Sequence, residues 1–556
     1  MGDKDRKDNK AAKVPLREDV AAIDRQILRL LLKRHNLLEK IRNKGRIETA
    51  DEIFLREAWQ REVARVSKDA ELSGRFFSLM QNVGFMPKPA EDEAGKREAF
   101  NLAPSREAAR FSFAAPLDSR LCRYWLYVAA CAGRPISMAP APQSDAVVDC
   151  VQALAQMGGA ITREDDALIC RRASPLGCPD KALFAGNSEF NFYLILAHYL
   201  GRHSRCKILG DAGLQLADFS FLRGFLTKMG ARIVYIVPKS SGLPVRLECS
   251  GILPASVTAT PDLPEAFLQA LILAAPFYSR PIGFNLSAHP RRESILARVL
   301  PILESCGATF TEGNRFINLQ PSGLVPPENP KLPLDPEIAC FILGLLEPLG
   351  GEGKLFGGWP VWPESTALWN LLLFARLPWK NTGSEISVDN REPLNKFSIA
   401  SAPEELVANL PPMATPFLTA LAVCAASRGG ESSLPPAILE DETAADFLRI
   451  CGCSASDEGL ISRAEGGGED RVWNAPTPGW AMALALVACA REKQRGYSLG
   501  NPGIIGELWP SWWTFYNSLP NPRPRKTAPT TPPATKRRRI LTDIVAEPPE
   551  LKDEDL

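Results

Sequence analysis

"FNFYLILAHYLGRHSRCKILGD" occupies residues 190–211. It reads as an apolar helix, then a small residue and a charged turn, then a strand. The same order returns as "RYWLYVAACAGRPISM" (123–138), "FLQALILAAPFYSRPIGFNLSA" (267–288), "EIACFILGLLEPLGGEGKLFGG" (337–358), "PFLTALAVCAASRGGESSLP" (416–435) and "WAMALALVACAREKQRGYSLGNP" (480–502). Six copies at a spacing of roughly 70 residues indicate a periodic architecture. Between copies lies a second helix that ends at glycine, as in "VVDCVQALAQMGGAIT" (147–162) and "FLRGFLTKMGARIVYI" (221–236). Each unit is therefore a β-α-β-α-β-β module, and six modules can build two domains of three.

Outward from that region the chain changes character. Residues 1–13 are a charged leader, read as disordered. Residues 14–88 read as all helix. Residues 89–110 read as a linker. The Pro-, Thr- and charge-rich stretch 521–556 reads as a disordered tail. The chain has 556 residues and a net charge of +1, so no basic field suggests nucleic acid. No uninterrupted apolar run is long enough for a membrane span, and the charged start does not read as a signal peptide. Thirteen cysteines without a C-x-x-C pair read as reduced thiols of a cytoplasmic protein. The four histidines, His35, His198, His203 and His289, do not share ligand spacing, so no metal and no cofactor are expected.

In the helical region, residues 22–41, "AIDRQILRLLLKRHNLLEKI", place Ile23, Ile27, Leu30, Leu31, Leu37, Leu38 and Ile41 on one stripe. Arg34 sits in register with it, where a guanidinium is costly unless an anion meets it. Arg17 shares a face with Val20, Ile27 and Arg34. A second helix starts at the capping box Thr49–Glu52 and carries Arg56 and Glu57 one turn before Trp59. Three arginines and one carboxylate leaning on an apolar face describe a pocket for a small dianion, since guanidinium forks bind carboxylates bidentately. The alternative is that the arginines reach past the stripe to water. A first helix this long, in a module of about 75 residues, predicts dimerisation through it.

The stretch "LREDVAAIDRQILRLLLKRHNLLEKI", followed by "LRE", resembles the all-helical (AroQ-class) chorismate mutases over residues 16–85. That resemblance implies chorismate as substrate and prephenate as product. It implies that Arg17 reaches across a homodimer to one carboxylate, that Arg34 holds the other, and that Arg56 and Glu57 bind the ring side and its hydroxyl. The family's lysine for the ether oxygen aligns at Gly45, so Lys44 takes that role with a one-residue shift. The family's aspartate before Arg-Glu aligns with Ile53.

The six-module region resembles EPSP synthase (3-phosphoshikimate 1-carboxyvinyltransferase) through "GN" at 186–187, "ILGD" at 208–211, "ALILAAP" at 270–276 and "LGNP" before "LWPSWWTFYNSL". The implied fold is a two-lobed α/β body, with lobe one from 111–118 and 334–520 and lobe two from 119–333. The fold class is thus multidomain: an all-α module, then this α/β body. Its anion-binding residues are largely replaced. The family's Lys is Ser119, its Arg is Tyr124 or, with a gap, Arg123, its Gly-Thr is Glu189–Phe190, its Ser-Ser-Gln is Pro264–Glu265–Ala266, and its Asp is Pro412. Asp441 stands for a Lys, Thr477–Pro478–Gly479 for Asp-His-Arg, and Glu507 for the last Lys; Asn187 and Glu442 survive as remnant site residues. Glu189, Glu265, Asp441 and Glu507 are expected to repel anionic ligands.

Two further motifs read as structural. "GEGKLFGG" (351–358) lacks the order of a phosphate loop, and Trp509, Trp512 and Trp513 read as packing of the last helix. "KRRR" (536–539) reads as a solvated charge run. Three functions follow from these residues: a dimeric chorismate mutase of aromatic amino acid synthesis with a non-catalytic EPSP synthase-like domain, a non-catalytic regulator or scaffold that docks pathway enzymes, or a divergent working EPSP synthase.

Overall fold

The computed structural model describes Leu30, Ala58 and Arg61, residues 100–102, and residues 107–520 without 239, 314, 391, 465–471 and 491–495. The chain divides into two units, Met1–Glu98 and Ala99–Leu556. In the first, Leu30, Ala58 and Arg61 are each helical. Arg17, Arg34, Lys44, Arg56 and Glu57 lie outside the described residues, as does the three-helix module as a whole.

The second unit opens with strands β1 (Phe100–Asn101) and β2 (Ala109–Ala114). The first repeat is α1 (Ser119–Ala132), β3 (Ile136–Met138), α2 (Asp145–Gln156), β4 (Ile161–Glu164) and β5 (Ala167–Cys170). The second is β6 (Ala182–Phe184), α3 (Glu189–Leu200), β7 (His203–Leu209), α4 (Phe221–Lys228), β8 (Ala231–Tyr235) and β9 (Val245–Ser250). The third is β10 (Ser256–Thr258), α5 (Glu265–Ala274), β11 (Ile282–Asn285), α6 (Arg292–Ser305), β12 (Phe310–Glu312) and β13 (Phe316–Leu319). The fourth is α7 (Pro336–Gly344), β14 (Gly351–Phe356), α8 (Pro363–Phe374), β15 (Trp379–Asn381) and β16 (Glu385–Asn390). The fifth is β17 (Lys396–Ser398), α9 (Ala414–Ser427), β18 (Glu431–Ser433), α10 (Glu442–Cys451), β19 (Cys453–Ala455) and β20 (Ile461–Arg463). The sixth is β21 (Val472–Trp473), α11 (Pro478–Ala490), β22 (Ser498–Leu499) and α12 (Trp512–Ser518).

The sheets repeat one order. The second and third repeats run β6-β7-β9-β8 and β10-β11-β13-β12, each with a parallel first pair and antiparallel neighbours. The fourth has the same order because β2 supplies its first strand, parallel to β14 with Phe111 opposite Gly353. The sixth is completed by β1, antiparallel to β22 with Phe100 opposite Leu499. The start of the body therefore closes the lobe that its end builds. Strand β1 lies inside 89–110, the segment read as linker. Two residues carry no periodic signal, and their partner is some 400 positions away. "GEGKLF" is strand β14, not a loop that could cradle phosphate.

Two cores result. One draws on residues 122–324, the other on 102–115 and 334–519. In α3 every residue from Phe190 to Leu200 is buried, and α11 is buried from Gly479 to Cys489. Such helices have no polar face and must be enclosed by neighbours. The second helix of a repeat is amphipathic instead: α2 buries Val147, Cys150, Ala153 and Leu154 and exposes the rest to varying degrees. Trp512 is fully buried and stacks on Tyr516, with Trp509 and Trp513 packed beside it. No helix among the described residues is long and apolar enough to cross a membrane.

Two chain crossings join the cores. Leu117 and Leu334 form an antiparallel bridge, the Asp118 amide donates to the Pro333 carbonyl at 3.0 Å, and the Asp335 amide donates to Pro116 at 2.7 Å. Both crossings end in a helix cap. Asp118 caps α1 by accepting from the Leu121 amide at 2.6 Å. Asp335 caps α7 by accepting from the amides of Glu337 and Ile338, each at 3.0 Å, with Pro336 in the first turn.

Candidate functional site

Beside the crossings lies a cavity of about 850 Å³ with walls from both cores. The 119–333 side contributes the amino ends of α1, α2 and α3 through Ser119, Asp145 and Ser188–Glu189, and the loop 211–213. The other side contributes Thr477, Gly503, Glu507 and Leu508.

Convergent helix amino ends are a ready anion site, because their free amides and dipoles point outward. Here the chain places its own carboxylates there. Asp145 and Glu189 are the first residues of α2 and α3, and Asp118 caps α1. Asp149, Asp211 and Glu507 add three more acids, so the walls carry five carboxylates against Arg120 and Arg123. Burial pushes the Glu507 carboxyl above its usual range, and Asp145, Asp149 and Asp211 push it further, against the hydrogen bond from Asn187. Asp149 is raised by burial and by Asp211 and Asp145, Glu189 by burial. The cavity is electronegative, and Asp149, Glu189 and Glu507 hold protons more tightly than free carboxylates do.

Arg123 is buried and engaged through its Nε and Nη1. Its Nε donates to the Ser119 carbonyl at 3.1 Å, and its Nη1 donates to Ser188 Oγ at 2.7 Å and Asn191 Oδ1 at 3.1 Å. The guanidinium also lies over the Phe190 ring, 5.1 Å from its centroid. It fastens α1 to α3 rather than standing free for a ligand. Of the two alignments open in the sequence, Arg123 is the residue on the cavity wall. Tyr124 is buried and donates to Gln269.

Asn187 sits where a glycine-rich approach is needed. A Cβ on Gly213 would lie 2.2 Å from Asn187 Oδ1, and one on Gly186, whose φ is +70°, would lie 1.8 Å from Asp149 Oδ2. Asn187 Nδ2 donates to Glu507 Oε1 across the cavity, while its buried Oδ1 has no partner among the described residues. A second bridge runs from Arg291 Nη1 to the carbonyls of Leu410 at 3.0 Å and Ala408 at 3.3 Å. Glu265 does not line the cavity; it pairs with Arg291 at 3.5 Å. Asp441 caps α10 by accepting from the Thr443 amide at 2.8 Å, and Glu442 is exposed at that helix start, away from the cavity wall. Of the four acids expected to repel anions, Glu189 and Glu507 are therefore placed to do so. Asp145 and Asp149 escaped the sequence reading, since acids early in an amphipathic helix look like ordinary capping. Asp211 had a signal, the "ILGD" turn.

A third contact joins the two sides at the hinge. Arg298 Nε donates to Glu364 Oε1, its Nη1 lies 3.4 Å from Asp118 Oδ2, and its guanidinium covers Trp362 with 4.1 Å to the ring centroid. Glu364 Oε2 has no partner among the described residues.

No family model and no curated protein match the sequence. Solved structures do. EPSP synthase from Acinetobacter baumannii is similar with a TM-score of 0.59 and 18% identity, over 76% of this chain and 98% of that one. The fold is EPSP synthase-like. The enolpyruvyl transferase NikO from Streptomyces tendae is similar at a TM-score of 0.55 and 13% identity, over 75% of this chain and 96% of that one. At such identities the likeness is one of fold. Among the described residues no cluster of His, Cys, Asp and Glu could hold a metal ion.

Proposed function

We propose that this is a protein of the aromatic (chorismate) branch whose chemistry resides in the N-terminal helices as a chorismate mutase. In this reading the EPSP synthase-like body does not catalyse enolpyruvyl transfer. The observation carrying the second half is the set of carboxylates at the cavity's helix ends. Enolpyruvyl transfer must hold a phosphate, a carboxylate and phosphoenolpyruvate together. Each added acid in a closed cleft opposes them by Coulomb energies of several kcal/mol. Asp145, Glu189 and Glu507 occupy the positions from which cations and free amides would act.

The mutase half rests on Arg17, Arg34, Lys44, Arg56 and Glu57. The rearrangement breaks the ether C–O bond as a C–C bond forms, with no covalent intermediate and no proton transfer. It requires a folded substrate conformer and a cation at the ether oxygen. Arg17 and Arg34 clamp the carboxylates, Lys44 faces the ether oxygen, and Arg56 and Glu57 hold the ring side. The length of the first helix, in a module of about 75 residues, supports a homodimer through it.

The test is prephenate formation from chorismate, beside a coupled assay with shikimate 3-phosphate and phosphoenolpyruvate. Turnover in the first assay alone is expected. Arg34→Lys loses the bidentate fork, so kcat/KM falls on the order of 100-fold, while Arg34→Leu abolishes turnover and leaves the melting temperature unchanged or higher. Full activity of Arg34→Leu ends the mutase reading. Turnover in the second assay makes the body a working transferase.

A further inference from the structure

The outer face of the sheet β6-β7-β9-β8 differs from its counterpart in the next repeat. Alternation along the strands exposes His203, Arg205 and Lys207 on β7, Arg246 on β9 and Arg232 on β8. The sheet of the third repeat exposes Ser256, Thr258, Thr311 and Phe316 at equivalent places, with no cation among them.

The cations outnumber their partners. Lys207 stands directly opposite Arg246 in the ladder, a like-charge pair that destabilises a sheet. Glu248 stands opposite both Arg205 and Arg232 and also accepts Arg246 at 3.0 Å, so one carboxylate faces three guanidinium groups. Arg205 has Asp180 at 3.0 Å. Lys207 and Arg232 have no ion pair among the described residues. Strand β8 is an edge, and grooves of about 550 and 650 Å³ meet at Ala231 and Arg232, the larger bordered by Arg223, Arg232 and Tyr235. Just past β8, Ile236 and Val237 are 43% and 45% exposed.

The same chain carries a complementary segment. Residues 543–555 hold six carboxylates, at Asp543, Glu547, Glu550, Asp553, Glu554 and Asp555, against Lys552, and the apolar pair Ile544 and Val545 follows the first of them. They lie outside the described residues, and a spacer of 24 residues separates them from the end of α12 at Ser518. Fully extended, that spacer reaches roughly 80 Å. A body of about 420 residues has a radius of gyration near 22 Å, so the extended spacer is longer than such a body is wide. Tethering also gives an effective concentration of about millimolar order.

We propose that the acidic segment 543–555 docks on this basic sheet face of its own chain, with carboxylates over Lys207, Arg232 and Arg246 and Ile544–Val545 beside Ile236 and Val237. Backbone amide exchange of the full chain is compared with that of a chain ended after Thr542. Protection of β8 and β9 is expected to fall at least tenfold on truncation, independent of protein concentration. A fluorescent peptide of residues 543–556 should bind the truncated chain, at least tenfold more weakly in 0.5 M salt. Arg232→Glu with Lys207→Glu should remove binding, and a peptide with Lys in place of residues 553–555 should restore it. Equal exchange in the two chains, or peptide binding indifferent to the charge reversal, overturns the proposal. Protection that rises with protein concentration assigns the site to a second copy's segment and overturns the intrachain docking. Tighter binding of an oligonucleotide than of the peptide, with no effect of truncation, assigns the face to a polyanion and overturns it too.

Discussion

The two sides of the body meet at two charged places that solve the same problem differently. At the hinge, Asp118 and Glu364 are buried around a buried Arg298, and a tryptophan ring covers the cation. In the cavity, five carboxylates share walls with only Arg120 and Arg123, and Glu507 is bridged by an amide, Asn187. The hinge gains its energy from mutual attraction in a dry setting, where the loss of one partner leaves a naked charge. In the cavity, burial instead raises the proton affinity of Asp149, Glu189 and Glu507, and neighbouring acids add to it at Asp149 and Glu507. Hinge charges are therefore structural, and cavity charges set what the cleft tolerates.

The largest expected effect breaks the hinge. Arg298→Met leaves Asp118 and Glu364 buried without a cation and should cost about 3–5 kcal/mol, read as a lower urea midpoint. Adding Glu364→Gln to Arg298→Met should return part of that loss, because the remaining amide needs no counter-charge. If the single variant unfolds at the parental midpoint, the hinge pairing carries no stability and the contrast with the cavity disappears.

The sequence displayed the fold far better than either charged place. Helices such as 190–200 are apolar on all sides and end in glycine, and that pattern survives any change at their amino ends. Repeat order and lobe count follow from it. The hinge was invisible because its partners are 66 and 180 positions apart and each looks ordinary alone: an N-cap aspartate, a glutamate after proline, an arginine in an amphipathic helix. The cavity was half legible. Glu189, an acid in place of a glycine, and Glu507, an acid in place of a lysine, stand out against a resembling family, whereas Asp145 and Asp149 gain meaning only when α2 is seen to start at the cavity. Strand β1 was hidden for the same reason as the hinge, being defined by a distant partner and not by its own residues.

An intermediate effect concerns pH at the hinge. Burial, then Asp118 and Glu337, push the Asp335 carboxyl up to about 8, against the helix amide of Ile338 and against Arg298. Burial also raises Glu337, whose carboxylate accepts from the Met413 amide at 2.7 Å. A folded-state pKa above the unfolded value means that the native state binds more protons between roughly pH 4 and pH 8. Stability from this group is complete below pH 4 and is lost as pH rises through 8. Glu347, buried and pushed to about 7, has the same sign. Urea midpoints between pH 5 and 9 should fall with rising pH, and Asp335→Asn, which keeps the cap acceptor, should flatten the curve. An unchanged slope in Asp335→Asn places the proton elsewhere.

The smallest effect sharpens the cavity side. Glu507 is partly exposed, repelled by Asp145, Asp149 and Asp211, and bridged by Asn187. Glu507→Gln removes the repelled charge and keeps an oxygen that can accept from Asn187 Nδ2. It should stabilise the body by about 1 kcal/mol or less at pH 8, since water screens much of the repulsion. The gain should vanish near pH 4, where the parental glutamate is itself protonated. Asn187→Ala removes the bridge and exposes the acid cluster to itself, so it should destabilise by about 1 kcal/mol at pH 8 and less at pH 4. The two variants therefore move in opposite directions at high pH and converge at low pH. A Glu507→Gln chain less stable than its parent at pH 8 means that the carboxylate is held by an attraction, and the cavity would then resemble the hinge.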